Sequence, residues 1–419
     1  MGWCEGAAFY PRRRLLGKPL VDRGRDILWI VTTQWRAQAT GAAGDPNACT
    51  PAFDALAAEG VNFVEATTPH PFGPFARAAL LTGVPSPENG VREYFDPLPR
   101  EVRTVAHDLA ARGYDTAWFG KWHLAERDRA APLVGETHAR MIVPPEARGG
   151  FEFWEGFEGG FLINEPWLHG TRLPTPYPFS GYQSDVLCAR AREWLAQRRS
   201  RGVDRPVFCV VSLEPPHPPY AAPAGLVEPR DPEAITLAGN VPGGGAVEVR
   251  ARRELAGYYA HIVATDRAIG GLVASVPKHT CIVWTSVHGD MHGAHGLFRK
   301  GWPHEESVRV PLVVRGDGGR GPRGVVDRSP ISLLDLREMA LAWAGGRTWS
   351  CARTSAPISM PSVVALPDQC DCTWSGERSA THKVVRRADG SPWFEFDLGS
   401  DPLELHNLAV RTGQGRSAS

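Results

Sequence analysis

Three histidines and a lysine in one short loop are the side chains of this sequence best placed to do chemistry. His288, His292, His295 and Lys300 follow the apolar run Thr280-Cys-Ile-Val-Trp-Thr-Ser286. An apolar strand that empties into a polar loop is how α/β proteins present side chains at the carboxyl end of a sheet. Imidazoles exchange protons near neutral pH, and an ammonium makes strong contacts to anions. Three imidazoles can also hold zinc, but the spacing of His288, His292 and His295 in a glycine-rich loop suits that ion poorly.

The elements that would position this loop alternate between strand and helix. Asp26 to Thr32, Val61 to Ala66, Thr116 to Lys121, Pro206 to Leu213 and Thr280 to Ser286 read as strands. Residues 50–60, Ala76 to Thr82, Thr104 to Arg112, Ser184 to Arg198 and Arg250 to Ala274 read as helices. That rhythm predicts an α/β fold, a mostly parallel central sheet sandwiched by helices. From about Pro330 the pattern changes to a helix, Leu333 to Gly345, and short strands such as Lys383-Val-Val-Arg and Trp393-Phe-Glu-Phe. A smaller C-terminal antiparallel sheet plus helix is therefore expected. The predicted division is an N-terminal arm over 1–25, the large α/β domain over 26–329 and the small subdomain over 330–419. Residues 127–180 and 221–247, rich in Gly, Pro and aromatics, are predicted to be long loops around the strand ends.

Composition narrows the functional classes. The 419 residues carry 46 basic and 46 acidic side chains, so no global field argues for nucleic acid or a membrane surface. No stretch of about 18 apolar residues is present to span a bilayer. An acid and then Arg12-Arg13-Arg14 precede any apolar core, the wrong order for a secretory signal, and a cytoplasmic protein is expected. The eight cysteines, Cys4, Cys49, Cys188, Cys209, Cys281, Cys351, Cys370 and Cys372, are scattered and read as small hydrophobes of a reducing compartment. Cys370-Asp-Cys372 has the spacing of a metal or redox pair but no second pair to complete it. A homo-oligomer is left open.

Several separate segments then fall in one order: Ile30-Val-Thr-Thr-Gln-Trp-Arg36, Thr50-Pro with Leu56 to Phe63, Pro71-Phe-Gly-Pro-Phe-Ala-Arg77-Ala-Ala-Leu-Leu-Thr-Gly83, Gly120-Lys-Trp-His-Leu124 and Pro215-Pro-His-Pro-Pro-Tyr220. Ser286-Val-His-Gly-Asp290, Lys300 with Glu305 to Val314, and Phe396 to Ala409 complete the series. Together they resemble the sulfatase family of the alkaline phosphatase superfamily, closest in style to arylsulfatases and phosphonate monoester hydrolases. The resemblance implies that Arg77 orients the nucleophile. It also implies that Lys121, His123, His217 and Lys300 contact a sulfate or phosphate group and its leaving oxygen. It further implies a formylglycine made from cysteine, held on a divalent cation by aspartates from two strand ends.

This sequence departs from that pattern at the metal and the nucleophile. Thr33, with Thr32 beside it, stands where the first metal loop has aspartate, and Val287 stands at the later aspartate. The nucleophile position falls on Gly73, or on Phe72 if Phe75 is an insertion. Two hydroxyls, a valine and the His288 imidazole do not supply the roughly six or more oxygens a hard cation requires. No metal and no other cofactor is expected, a divalent metal being the alternative. Thr67 and Thr68 are poor substitute nucleophiles, because they precede the helix start that would support an attacking atom.

What remains is a basic pocket suited to a small sulfate, phosphate, phosphonate or carboxylate. Imidazoles beside cations titrate low and offer a neutral base near pH 7. His123, His217 and His288 are the candidate catalytic residues; Arg77, Lys121, Lys300, His292 and His295 are the candidate substrate contacts. His70, His107, His261, His304 and His382 carry no motif. Trp35, Trp122, Trp154, Trp167 and Trp302 lie near strand ends and could wall a flat ligand, although core packing is the commoner role. Three functions compete. The first is metal-independent acid/base chemistry on a small anionic metabolite, as in a biosynthetic pathway. The others are an inactive anion- or partner-binding relative and an ester hydrolase with a non-standard metal site.

Overall fold

The computed structural model describes residues 24–221, 227–316 and 321–410, so residues 1–23 of the expected arm lie outside it. Ten strands form the main sheet: β1 (Ile27–Thr32), β2 (Val61–Phe63), β3 (Asp115–Lys121), β4 (Phe153–Phe157), β5 (Trp167–Gly170), β6 (Tyr177–Pro178), β7 (Val207–Ser212), β8 (Cys281–Ser286), β9 (Leu312–Arg315) and β10 (Val325–Asp327). Their order is β10-β2-β9-β8-β1-β7-β3-β4-β5-β6. The central β8, β1, β7, β3 and β4 are mutually parallel, while β9 and β5 join antiparallel at either side. A second, antiparallel sheet follows from β11 (Ser355–Met360), β12 (Trp374–Ser379), β13 (His382–Arg387) and β14 (Pro392–Asp397).

The apolar strand runs dictate which helices cover which face. Side chains alternate along a strand. Ile27, Trp29 and Val31 of β1 accordingly pack with Leu80, Leu109 and Met339, from α2 (Gly73–Thr82), α3 (Val105–Ala110) and α8 (Leu336–Ala344). Leu28 and Ile30 pack the opposite way with Leu56, Leu187 and Ile262, from α1 (Pro51–Glu59), α5 (Gln183–Ser200) and α6 (Ala246–Ser275). All residues of α2 are buried, and Gly83 ends the helix in the left-handed region at φ 69°. Deep burial fixes the N-terminus of α2 against the strand ends.

The expectation of loop throughout 127–180 is corrected. That segment contributes β4, β5 and β6. The sequence hid β4 because Glu155 interrupts its apolar run. The structure tolerates that buried carboxylate because Arg172 and Arg190 reach it, the latter through Nε at 2.6 Å. Among the described residues no helix is long and apolar enough to cross a membrane.

Candidate functional site

The carboxyl ends of β1, β3, β7 and β8 converge with the N-terminus of α2. They bring Thr33, Gly73, Lys121, His123, His217, His288 and Lys300 around one cavity, with Phe72, Tyr94, Phe161 and Leu366 as apolar walls. The enclosed space is about 20 Å³, room for one water-sized group. Phe161 and Leu366 are its partly exposed walls.

Phe72 is extended and lies ahead of α2, and Gly73 is the first helical residue. A Cβ at Gly73 would stand 2.8 Å from His123 Nδ1 and 3.2 Å from Arg77 Nη1. Glycine is thus the residue that lets His123 and Arg77 close over this point. His123 itself holds a left-handed backbone, φ 61°, a strain that non-glycine residues accept when their surroundings fix them.

The donors at the family's metal position do not fit a divalent cation. Thr33 Oγ1 donates to the Leu213 carbonyl at 2.9 Å and accepts from Arg77 Nη2 at 2.7 Å, so a guanidinium already occupies its free side. Thr32 Oγ1 donates to the Thr285 carbonyl at 3.1 Å, and Val287 packs in the apolar core. The nearest acid along that loop, Asp290, accepts from Tyr220 Oη at 2.6 Å, from Gln34 Nε2 and from the backbone N–H of His292 and Arg299. Among the described residues, His, Cys, Asp and Glu groups gather at metal-ligand distances only at Cys370-Asp371-Cys372 and at His295, Glu306 and Glu404. Neither group lies on the pocket.

Cations dominate the pocket instead. Lys121 Nζ meets Glu214 Oε1 at 2.6 Å and stands 4.6 Å from the Phe161 ring centroid. Lys300 Nζ donates to Gln34 Oε1 at 2.8 Å and lies 3.0 Å from His217 Nε2, both neutral partners. Arg77 is 1% exposed, and its Nε has no hydrogen-bond partner among the described residues. Burial lowers the Arg77 guanidinium to about 10, Lys121 to about 8 and Lys300 to about 7. For Lys121, Glu214 works against that shift; for Lys300, Lys121 adds to it.

The imidazoles are correspondingly neutral. Burial, reinforced by Lys121 at His123 and by Lys300 at His217 and His288, holds all three well below the usual histidine range. His217 Nδ1 lies 2.7 Å from the Pro218 carbonyl, which only accepts, so Nδ1 carries the proton and Nε2 turns its lone pair to Lys300. The same logic at His288, with Nδ1 2.9 Å from the Gly289 carbonyl, leaves Nε2 buried as an unpartnered acceptor.

Lys121, Lys300, His123, His217 and His288 thus line one cavity, with Arg77 next to it behind Thr33 and Gly73, whereas His292 and His295 do not line it. This corrects their placement as substrate contacts. His292 is fully buried behind the pocket, its ring 4.3 Å from that of Tyr258. His295 turns away to stack on His304 at 4.4 Å. The three-histidine zinc arrangement fails for the same reason. Trp35, Trp122 and Trp154 are core residues, and none of the five tryptophans lines the cavity. Thr67 and Thr68 are buried away from it, Thr68 donating to the His70 carbonyl at 3.0 Å.

Sequence reasoning missed Glu214, Gln34, Tyr94 and Phe161. Glu214 carried a signal, an acid directly after the apolar run Val207–Leu213 where a strand end would bury it. Phe161 carried none; it sits at φ 53° in an irregular segment and stacks on His217 with centroids 4.6 Å apart.

Comparison with known proteins accounts for this arrangement. The family model described as Sulfatase matches residues 25–346. The ulvan-active sulfatase of Formosa agariphila is 35% identical over 74% of this chain, and the match spans 60% of that protein's length. The arylsulfatase of Clostridium perfringens is 26% identical over 91% of this chain and 90% of its own. Among solved structures, the putative sulfatase yidJ from Bacteroides fragilis aligns with a TM-score of 0.78 at 24% identity, over 93% of this chain and 92% of its own. The phosphonate monoester hydrolase of Agrobacterium radiobacter aligns at 0.68 and 21%, over 93% and 92%. The fold is theirs and the family match covers most of the sequence: the chain belongs to the sulfatase family.

Proposed function

We propose that this chain binds a small anionic metabolite, a sulfate, phosphate, phosphonate or carboxylate, and acts on it by acid/base chemistry that needs no metal. One observation carries the reading. Lys300, which lines the pocket, and Arg77, directly beside it, are buried cations whose hydrogen bonds among the described residues go to neutral atoms. Glu214 is paired with Lys121, and Glu214, Glu158 and Asp290 act on the two cations only at longer range. Burying an unpaired charge is costly, and an incoming anion offsets that cost. The unpartnered nitrogens of His123 and His288, with the Nε2 lone pair of His217, supply neutral bases within the same walls.

A non-catalytic anion- or partner-binding role is the second reading, favoured by the small cavity of about 20 Å³. Melting in EDTA separates these from a metal-dependent hydrolase. Sulfate, phosphate or phenylphosphonate should raise Tm without metal, and Arg77→Met should abolish the shift. Turnover of p-nitrophenyl sulfate or phosphate that appears on adding Ca²⁺, Mg²⁺ or Mn²⁺ would overturn the metal-free reading.

A further inference from the structure

The pocket retains a nucleophile, although not at the family's position. Gly73 has no side chain to attack with, and the Thr33 and Thr32 hydroxyls spend their protons on the Leu213 and Thr285 carbonyls. Lys300 is different. It is 6% exposed, has no carboxylate contact among the described residues, and lies 3.0 Å from His217 Nε2. The Pro218 carbonyl fixes the tautomer of His217 by holding its Nδ1–H at 2.7 Å. Nucleophile, base and the group that orients the base therefore stand in line, the relation found in activated nucleophiles on unrelated folds. Apolar surface adjoins the amine, the Phe72 ring centroid lying 5.4 Å from Nζ.

Residue usage supports an amine rather than a generic positive charge. Of the 46 basic residues only five are lysines, Lys18, Lys121, Lys278, Lys300 and Lys383, yet two of the five lie in this cavity. Arginine would supply the charge equally well but cannot be deprotonated to attack. Burial leaves a large part of Lys300 unprotonated near neutral pH, its value being lowered to about 7.

We infer that Lys300 condenses with the carbonyl of a small oxo acid, its base being His217, and that Arg77 and Lys121 seat the acid group. The Nζ lone pair forms a C–N bond to the carbonyl carbon, and the C=O π pair moves onto oxygen. Nζ loses a proton to His217 Nε2, which returns it to that oxygen. The carbinolamine nitrogen lone pair then expels the hydroxyl, which leaves as one water with a proton relayed from solvent through His217, giving the protonated imine. The protonated imine draws electrons from the neighbouring carbon, the electron sink that a site without a metal otherwise lacks. This deepens the proposed function and rests on the anion site described there.

The test is reductive trapping of the full chain with glyoxylate and sodium cyanoborohydride, read by intact mass and peptide mapping. Thermal shift with oxalate, an anion that cannot form an imine, runs in parallel. A single carboxymethyl group on Lys300, gained at least tenfold faster than on exposed Lys278, is expected. His217→Gln should slow trapping by about tenfold or more while the oxalate shift persists. Lys300→Arg should keep the oxalate shift and take no label. An oxalate shift without selective label on Lys300 overturns the imine and leaves the anion site standing. Absence of both overturns the anion site as well, and preferential labelling of Lys121 reassigns the nucleophile and contradicts the proposal.

Discussion

Two clusters of buried charge in this fold are balanced in opposite ways. At the seam between the main sheet and the C-terminal sheet, Arg378 meets Glu305 at 2.8 Å and also reaches Glu65, while Lys383 meets Glu305 at 3.2 Å and also reaches Glu404. Burial alone would raise the Glu305 carboxyl, but Arg378, Lys383 and Arg309 hold it well below the usual carboxylate range. At the pocket, Arg77 and Lys300 are just as deeply placed, yet only hydroxyl, amide, carbonyl and imidazole atoms receive them. The seam cations thus have carboxylates in direct contact, whereas Glu214, Glu158 and Asp290 act on Arg77 and Lys300 only at longer range.

Substitutions on the two sides should therefore diverge. The largest effect is expected at the seam, where Arg378→Met removes the cation shared by Glu305 and Glu65 and leaves them only Lys383, Arg309 and Arg328, which should cost about 3 kcal/mol in urea unfolding. Arg77→Met beside the pocket should cost the ligand-free protein much less, since its hydrogen bonds go to the neutral Thr33 hydroxyl and Gly73 carbonyl and the nearest carboxylates, Glu214 and Glu158, act only at longer range. Equal losses at both positions would erase the distinction.

Next in size is Gly73→Cys, which introduces the residue type that the sulfatase resemblance implies for a nucleophile. The added Cβ enters the space of His123 Nδ1 and Arg77 Nη1, so overpacking of about 1–3 kcal/mol is expected. No sulfatase activity should follow, because Thr33 and Val287 still offer no carboxylate. Turnover of p-nitrophenyl sulfate by this variant would contradict the account.

A smaller effect sharpens the contrast through pH. Lys300 sits at about 7 and Lys121 at about 8 in the fold, below the ordinary 10.5. Between those values the unfolded chain binds more protons than the folded one, so stability rises with pH there. The penalty of the charged amines is complete below about 7 and is relieved above it. Urea unfolding at several pH values should show that rise, flattened in Lys300→Met. Stabilisation by sulfate should fade over the same interval as the amines lose charge.

Much of the site was legible because strand ends announce themselves. The apolar runs before Thr33, Lys121 and His288 placed those residues at one edge of the sheet, and Gly120-Lys-Trp-His-Leu124 placed His123 beside them. His292 and His295 misled because the loop carrying them reverses repeatedly, with positive φ at His292, Gly293, His295 and Gly296. Spacing along such a loop says little about direction. Glu214 and Gln34 escaped because their roles exist only once β7, β1 and the Lys300 loop meet in space. β4 was hidden by Glu155, whose arginine partners come from elsewhere in the fold.

The central claim is that Arg77 and Lys300 make a metal-free anion site. Calorimetric titration of sulfate into chelator-treated protein tests it most directly. One saturable site is predicted, lost in Arg77→Met and preserved in Lys278→Ala, an exposed lysine away from the cavity. Heat that appears only after a divalent cation is added, or binding that Arg77→Met leaves untouched, would contradict it.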